Sequence, residues 1–440
     1  MTSQKRRFAQ PKYRCNSCGF TTGRWMGFCP QCRAEDSLAE TVSSGGAGAS
    51  TTQRLREIGL NKKPRTATGI AEIDRVLGGG LVDGSVVLVG GEPGVGKSTL
   101  LLQMAARVAD HGAVLLASAE ESAAQVAMRA ARLGLDAAGL HVVSDGRVDA
   151  ILGACLEEQP QLLVVDSIQT VTADDAEGSA GGVVQVRESA SRFIDFAKRT
   201  GTVVALVGHV TKDGAIAGPK TLEHMVDVVM YLEGEGDGGL RLLRSLKNRY
   251  GSVNQVGVFT MGDAGLDEVP DPSGVLIEAH RVGASGTVLF PMVEGRRSML
   301  CEVQALVVPS VLPQPRRSVK GLDVARVHQL LAVLERHVGI GLGKHDVHVN
   351  IVGGIRLRDP AVDLAVALAI VSSYRDAPLP LVAAWGEIGL TGEIRNATHA
   401  DRRLEEASRF DPELVVRPGS GGSRTIDQAL SLSGLSATRG

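Results

Sequence analysis

The chain has 440 residues, of which 43% are hydrophobic and 22% are charged, and its formal net charge at pH 7 is −2. This length predicts about two to three domains, and the near-neutral charge leaves any contact with nucleic acid to local basic patches. The sequence contains no apolar run of the roughly 18 residues that a membrane span needs, and the residues before Arg14 lack the apolar centre of a signal peptide.

Four of the six cysteines form two Cys-x-x-Cys pairs, Cys15 with Cys18 and Cys29 with Cys32. Two such turns offer four thiolates to one ion, which is the ligand set of a structural zinc site. A redox dithiol is the alternative, but no βαβ pattern surrounds the pairs. We therefore predict a zinc ribbon over residues 1–40. The other two cysteines are isolated, so no disulfide framework is expected, and a reducing, cytoplasmic location fits best.

The predicted ribbon is basic and carries one exposed aromatic residue. The residues concerned are Lys12, Arg14, Arg24, Trp25 and Arg33. They leave open whether the ribbon contacts DNA, contacts a protein partner or simply folds around its metal. Residues 41–65 are rich in Ser, Thr, Gly and Ala and predict a linker.

Residues 91–98 read Gly-Glu-Pro-Gly-Val-Gly-Lys-Ser and fit the phosphate-binding pattern G-x-x-x-x-G-K-[ST]. The apolar run 85–90 and the helical spacing over 97–109 predict a strand, a glycine loop and a helix, which is the setting that binds phosphate. An ordinary glycine turn is the alternative, and it does not account for these flanks. The residues predicted to bind ATP are Gly91, Glu92, Pro93, Gly94, Val95, Gly96, Lys97, Ser98 and Thr99. Lys97 would neutralise the β- and γ-phosphates, and Ser98 would bind Mg²⁺.

Further apolar runs predict a mostly parallel sheet with helices between its strands. The strands are expected at 113–118, 162–166 and 202–208, and the helices at about 121–133, 146–157 and 187–199. A hairpin is expected from the runs 226–232 and 240–246, and another strand at 253–260.

Acidic residues follow two of these strands. Asp166 ends the run 162–166, as in the Walker B pattern that holds Mg²⁺; a capped Asp-Ser turn is the alternative. Glu120 and Glu121 follow the run 113–118, and we favour Glu120 as the group that polarises the attacking water. The alternative is a solvated helix start.

Polar loops follow the strands at the same edge of the sheet. His209 would face the γ-phosphate or be an ordinary loop histidine. The glycine-rich loops 172–182 and 212–220 are either surface connections or loops that sense the γ-phosphate and grip a threaded polymer. The acidic stretch 262–274 predicts a boundary between an ATPase domain at 66–270 and a second α/β domain at 274–440. The second domain has expected helices at 322–338 and 361–374 and a loose tail from Gly419.

The chain resembles the bacterial RadA/Sms family of recombination ATPases over nearly its whole length. The resemblance is carried by the cysteine ribbon, the P-loop and motifs at 68–70, 77–80, 118–122, 208–214, 222–227 and 247–251. The family motif Lys-Asn-Arg-Phe-Gly has Tyr250 here in place of Phe. The resemblance implies a RecA-like core, a homo-hexameric ring, single-stranded and branched DNA as partners together with a RecA-type recombinase, and a part in the response to DNA damage.

Lys247 and Arg249 stand in that motif. By analogy with related rings, they would reach the γ-phosphate of a neighbouring subunit, as an arginine finger does. Contact with DNA phosphates is the competing interpretation, and a solvated charge pair is the third. The sequence does not separate the first two.

Residues from about 274 onward are similar to the proteolytic domain of Lon. The nucleophile position reads Ala361, and the region that matches the catalytic lysine reads Asp401-Arg402-Arg403. Because arginine stays protonated, it cannot act as the base of a Ser–Lys mechanism, and we predict no peptidase activity. The domain is expected to be a ring-forming scaffold. Its basic residues line a DNA-binding face or a solvated helix face: Arg316, Arg317, Lys320, Arg326 and Arg336.

These features predict an α/β protein that uses ATP, Mg²⁺ and Zn²⁺. The favoured function is a DNA-dependent ATPase that drives branch migration of recombination intermediates. An ATP-switched DNA-binding scaffold without motor activity is the alternative, and an ATP-dependent protease is disfavoured.

Overall fold

A computed structural model of the chain describes residues 13–18, 20–22, 25–34, 37–40, 64–136, 138–208, 220–234, 239–277, 283–419 and 422–436. Contacts divide the chain into two compact units, Met1–Lys62 and Lys63–Gly440. In the first unit, the described residues form a small antiparallel sheet in the order β2-β1-β3. Its strands are β1 (Tyr13–Cys15), β2 (Thr21–Thr22) and β3 (Leu38–Glu40).

The second unit begins with a two-stranded antiparallel pair of β4 (Arg65–Thr66) and β5 (Leu81–Val82), followed by a large sheet. The described strands of this sheet are ordered β14-β13-β12-β11-β6-β10-β9-β7-β8. They are β6 (Val86–Gly91), β7 (Val114–Ser118), β8 (Leu140–Val143), β9 (Leu162–Asp166), β10 (Val203–Val207), β11 (Val228–Glu233), β12 (Leu240–Asn248), β13 (Val256–Gly262) and β14 (Gly265–Glu268). Strands β6 to β11 run parallel, and β12 to β14 extend the sheet as an antiparallel meander.

Helices cover both faces of the large sheet, which explains why its central strands are continuously apolar. Val87 and Val89 of β6 pack with α2 in one core, whereas Val86 and Leu88 pack with α5 in another. The helices of this region are α1 (Ala71–Leu77), α2 (Lys97–Ala109), α3 (Ala123–Arg132), α4 (Val148–Glu158), α5 (Val183–Thr200) and α6 (Lys220–Met225).

A second sheet follows, with its described strands in the order β17-β18-β16-β15-β19-β22. These strands are β15 (Thr287–Glu294), β16 (Arg297–Pro309), β17 (Arg317–Lys320), β18 (His345–Ile351), β19 (Val382–Ala384) and β22 (Leu414–Val416). Two further short strands, β20 (Glu387–Ile388) and β21 (Ile394–Arg395), pair only with each other among the described strands. The helices are α7 (Pro272–Ile277), α8 (Val324–Val333), α9 (Asp363–Tyr374), α10 (Ala400–Ser408) and α11 (Ile426–Leu432), with a π-helical turn at Leu334–Val338 and 3₁₀ turns at Leu342–Lys344 and Pro360–Val362. Helix α9 is buried on every side from Asp363 to Ser372, as its almost entirely apolar sequence requires.

The structure confirms the predicted strands and helices around the P-loop, although α5 begins four residues before its predicted start. The prediction of a loose tail from Gly419 is wrong, since α11 buries Ile426, Ala429 and Leu430. The acidic stretch 262–274 contains β14 and the start of α7 and does not separate compact units. The domain limits at 270 and 274 therefore remain a prediction.

Candidate functional site

The glycine loop between β6 and α2 adopts conformations that favour glycine. Gly94 has φ of 78° and Gly96 has φ of 110°, and a Cβ atom on Gly91 would lie 2.5 Å from the carbonyl oxygen of Leu232. Gly96 is the N-cap of α2 and offers no side chain to the first N–H groups of that helix. These N–H groups, at the positive end of a 13-residue helix, fit the phosphate groups of a nucleotide.

Lys97 is buried at the base of this loop, with 3% of its surface exposed. Its Nζ donates to the carbonyl oxygens of Gly91 at 3.0 Å and Glu92 at 2.9 Å. Burial lowers the pKa of the Lys97 ammonium, and this effect outweighs the opposing influence of the negative charges of Asp166 and Glu120. Phosphate oxygens near Nζ would favour its charged form, so the residue is suited to an anionic ligand.

Asp166 and Glu120 meet at the carboxyl edge of the large sheet, as predicted. Ser118, the last residue of β7, pairs with Asp166, the last residue of β9. The hydroxyl of Ser167 donates to Glu120 Oε1 at 2.7 Å, which fixes that carboxylate next to β9. Two carboxylates and the Ser98 hydroxyl near a phosphate cradle are oxygen ligands of the kind that Mg²⁺ prefers.

Arg129 of α3 is a member of this cluster that sequence reasoning missed. Its Nη2 lies 2.9 Å from Glu121 Oε2 and 3.9 Å from Asp166 Oδ2. Ser122 caps α3 and forms a capping box with Gln125, which starts the helix directly after the two glutamates. The only signal in the sequence was an arginine on the helix that follows them, and no motif marks that position.

Lys247 and Arg249 lie away from the P-loop of their own chain. Val228, at the start of β11, pairs with Asn248 on one side and with Val87 of β6 on the other. The motif is therefore beside the beginning of β6, whereas the P-loop follows its end, about 13 Å further along the strand. The sequence predicted that both basic residues lie just past a strand. Arg249 does follow β12, but Lys247 lies within it, because β12 continues to Asn248. The sequence also did not give the direction of that strand.

The cysteine ribbon gathers all four predicted ligands. The four Sγ atoms lie within 4.8 Å of one another, with 3.7 Å between those of Cys15 and Cys32 and 3.5 Å between those of Cys18 and Cys29. A Zn–S bond of about 2.3 Å places tetrahedral sulfur ligands about 3.8 Å apart, so the set fits zinc. Trp25 is 61% exposed, as the sequence predicted.

Other predicted residues fall outside the described part of the chain. These include His209, most of the loop 212–220, Lys12 and Arg24. The loop 172–182 is described, and the buried side chain of Gln185 holds it through hydrogen bonds to the backbone of Ala173, Ala176 and Gly178.

Family models match two parts of the chain. A model described as an AAA domain matches residues 63–215, and one described as a rubredoxin metal binding domain matches residues 13–40. The two matches coincide with the phosphate cradle and the four-cysteine ribbon.

Relatives match the chain almost from end to end. The DNA repair protein RadA of Pseudomonas aeruginosa is 48% identical over 421 residues, which is 93% of each chain. The proteins of the same name from Escherichia coli and Bacillus subtilis are each 42% identical and cover 96% and 93% of this chain and 95% and 92% of their own. The chain belongs to the RadA family. The resemblance predicted from the sequence motifs is confirmed, and none of the helices described in this RadA family member is long and apolar enough to cross a membrane.

The two regions where the expected resemblance to Lon would place catalytic residues contain Ala361, in the 3₁₀ turn Pro360–Val362, and Arg403, on α10. Ala361 is buried, and Arg403 is 1% exposed. The Arg403 guanidinium pairs with Asp359 and donates to the carbonyl oxygens of Pro291 and Thr398. Because arginine stays protonated, Arg403 cannot serve as the general base of a Ser–Lys mechanism, and the absence of peptidase activity remains a prediction.

The five residues of the predicted basic face fall into two groups, one bonded within the fold and one exposed. Arg326 forms a two-pronged ion pair with buried Asp363, and Arg317 donates to the carbonyl oxygens of Leu342 and His345. These two arginines support the fold. The exposed residues of the set are Arg316, Lys320 and Arg336.

Proposed function

We propose that the chain is a DNA-dependent ATPase of homologous recombination and DNA repair. It would bind single-stranded and branched DNA and use ATP to drive branch migration of recombination intermediates, working in the cytoplasm beside a RecA-type recombinase. The observation that carries the proposal is the meeting of Lys97, Glu120 and Asp166 at one edge of the sheet, next to the glycine loop. The AAA-domain match and the name of the relatives, DNA repair protein, support it.

The residues at the loop have distinct parts in this proposal. The backbone from Gly91 to Thr99 would hold the phosphates, and Lys97 would exchange its two carbonyl acceptors for phosphate oxygens. Bound Mg²⁺, held by Ser98 and Asp166, would supply charge neutralisation. Glu120, held by Ser167, would orient the attacking water and accept its proton.

A second subunit would complete the site. The distance between the Lys247–Arg249 motif and the P-loop of the same chain favours action on the neighbour's nucleotide in a homo-hexameric ring. Direct contact between these two residues and DNA phosphates is the competing arrangement.

The experiment measures branch movement on a labelled three-strand DNA intermediate. The wild type is expected to move the branch with ATP, whereas Lys97→Ala is expected to bind the DNA and leave the branch in place. If Lys97→Ala moves the branch at the wild-type rate, the motor proposal fails. ATP-dependent DNA binding by the wild type without branch movement would favour the alternative, an ATP-switched scaffold.

A further inference from the structure

The buried carboxylate of Asp227 connects the start of β6, helix α5 and the residue that follows β12. Asp227 is 3% exposed and directly precedes β11. Its Oδ2 accepts from the backbone N–H of Val86 at 3.1 Å and from Lys198 Nζ at 2.6 Å, and its Oδ1 accepts from Arg249 Nη1 at 3.1 Å. The backbone N–H of Arg249 also donates to the Asp227 carbonyl oxygen at 3.1 Å. Arg249 is thus held by both the side chain and the backbone of one residue.

The segment before Asp227 holds the other basic residue of the motif. Lys247 Nζ donates to the carbonyl oxygens of Glu223 at 2.7 Å, His224 at 3.2 Å and Val226 at 2.8 Å. Leu222 and Val226 are fully buried and fix this segment in the core. The motifs 222–227 and 247–251, which are 20 residues apart in the sequence, are therefore in direct contact through hydrogen bonds.

The Arg249 side chain is partly exposed to solvent. The Arg249 side chain is 53% exposed although one of its nitrogens is bound to Asp227. A guanidinium has five N–H donors in a fixed plane, so a bond at Nη1 sets the direction of the others. Leu246, near the end of the preceding strand β12, is also exposed.

We infer that Asp227 is the positioning residue for Arg249, and that it directs the guanidinium toward the nucleotide of a neighbouring subunit. The inference rests on the proposed function, because it requires Arg249 to act in trans. The carboxylate that holds Arg249 also accepts a hydrogen bond from the backbone N–H of Val86. Val86 is the first residue of β6, the strand that leads to the P-loop of the same chain. The same carboxylate therefore links Arg249 to the start of β6 within one chain.

A purely structural role for Asp227 makes a different prediction. If the carboxylate only satisfies the Val86 N–H and stabilises β6, its loss would damage the P-loop of the same chain. If it positions Arg249, its loss would damage the site of the neighbour. Mixed assemblies separate the two cases, because each composite site takes its P-loop from one chain and Arg249 from another.

The test mixes full-length Asp227→Asn with full-length Lys97→Ala and measures ATP hydrolysis with single-stranded DNA. Asparagine keeps an acceptor for the Val86 N–H and removes the charge that holds Arg249. Alone, Asp227→Asn is expected to hydrolyse ATP about 100-fold more slowly than wild type, with its affinity for a fluorescent ATP analogue within about twofold, because a misplaced group costs rate more than binding. In equal mixture with Lys97→Ala, which has an intact Arg249, activity is expected to return toward about a quarter of the wild-type rate, the share of productive interfaces in a random ring.

Two control experiments accompany this test. Asp195→Asn, the same chemical change on the exposed part of α5, is expected to behave as wild type. Arg249→Ala mixed with Lys97→Ala is expected to recover activity in the same way as Asp227→Asn.

If the mixture of Arg249→Ala with Lys97→Ala recovers ATP hydrolysis and the mixture of Asp227→Asn with Lys97→Ala does not, the inference about Asp227 is wrong. Action of Arg249 on the neighbour's nucleotide would still be supported. If neither recovers, action in trans is wrong and the inference falls with it. Should Asp227→Asn fail to fold, Asp227→Glu provides the same comparison, since it keeps the charge and displaces the carboxylate by one methylene.

Discussion

Arg129 is the basic residue within the carboxylate cluster of the candidate site. Its guanidinium lies between Glu121 and Asp166, and the side chain is largely buried. A cation there reduces the repulsion between neighbouring carboxylates and fixes their directions. We therefore expect Arg129 to set the position of Asp166.

Replacing Arg129 by alanine tests this role. We predict that kcat for ATP falls about tenfold, which corresponds to roughly 1.4 kcal/mol of lost transition-state stabilisation, whereas nucleotide affinity changes little. Arg132→Ala, an exposed arginine on the same helix, is the matched control and should retain wild-type kinetics. A rate for Arg129→Ala within twofold of the control would contradict the role.

The glycine loop is the element in which backbone conformation decides binding. Gly96 has φ of 110°, which an L side chain rarely adopts, and a Cβ atom there would lie 2.6 Å from the Met261 methyl group. Gly153 of α4 has open space around its Cβ position. We predict that Gly96→Ala weakens binding of a fluorescent ATP analogue at least tenfold, because the strained conformation costs about 1–3 kcal/mol. Gly153→Ala should bind normally, and equal affinities of the two variants would refute the assignment.

The cysteine ribbon is the element that depends on a metal. A segment of this size has too little core to fold alone, so the metal supplies folding free energy. We predict about one zinc per chain by elemental analysis of the wild type and loss of that zinc in Cys29→Ser. Cys155→Ala, which changes a buried cysteine outside the ribbon, should keep it. A wild type without metal would show that the four sulfurs serve another purpose.

At the scale of the whole molecule, a buried ion pair connects the two sheets of the second unit. Glu72 of α1 accepts from the Val258 N–H at 2.9 Å and pairs with Arg297, the first residue of β16. Arg297 also donates to the carbonyl oxygens of Val269 at 3.0 Å and Pro270 at 2.9 Å, across the predicted domain boundary. This arrangement explains why the acidic stretch does not separate two compact units.

Breaking that pair should destabilise the protein. Arg297→Ala removes the buried cation of Glu72 and leaves only Arg75, a half-exposed side chain whose Nε lies 3.4 Å from Glu72 Oε1. We predict a loss of about 3 kcal/mol in the free energy of unfolding, measured by denaturant titration. The double variant Glu72→Gln with Arg297→Ala should lose less, because no buried carboxylate charge remains. Equal losses in the single and double variants would show that the charge pair is unimportant.

The sequence predicted the parts of the site that are local in the chain. The P-loop, Asp166 and the cysteine pairs are each recognisable within a few residues, because their spacing alone brings the groups together. Long-range contacts were not predictable in this way: Glu72 and Arg297 are 225 residues apart, and the contacts of Asp227 with Val86 and Arg249 depend on strand order. The tail differs from its prediction because its glycine and serine residues obscure the short apolar spacing of α11.

The central claim is that ATP hydrolysis at the P-loop is coupled to DNA. The most direct measurement is the steady-state ATPase rate of the full-length protein with and without single-stranded DNA, beside Lys97→Ala as the inactive reference. We predict a several-fold higher rate with DNA for the wild type and no hydrolysis above background for Lys97→Ala in either condition. A wild-type rate that is the same with and without DNA, or hydrolysis by Lys97→Ala at the wild-type rate, would contradict it.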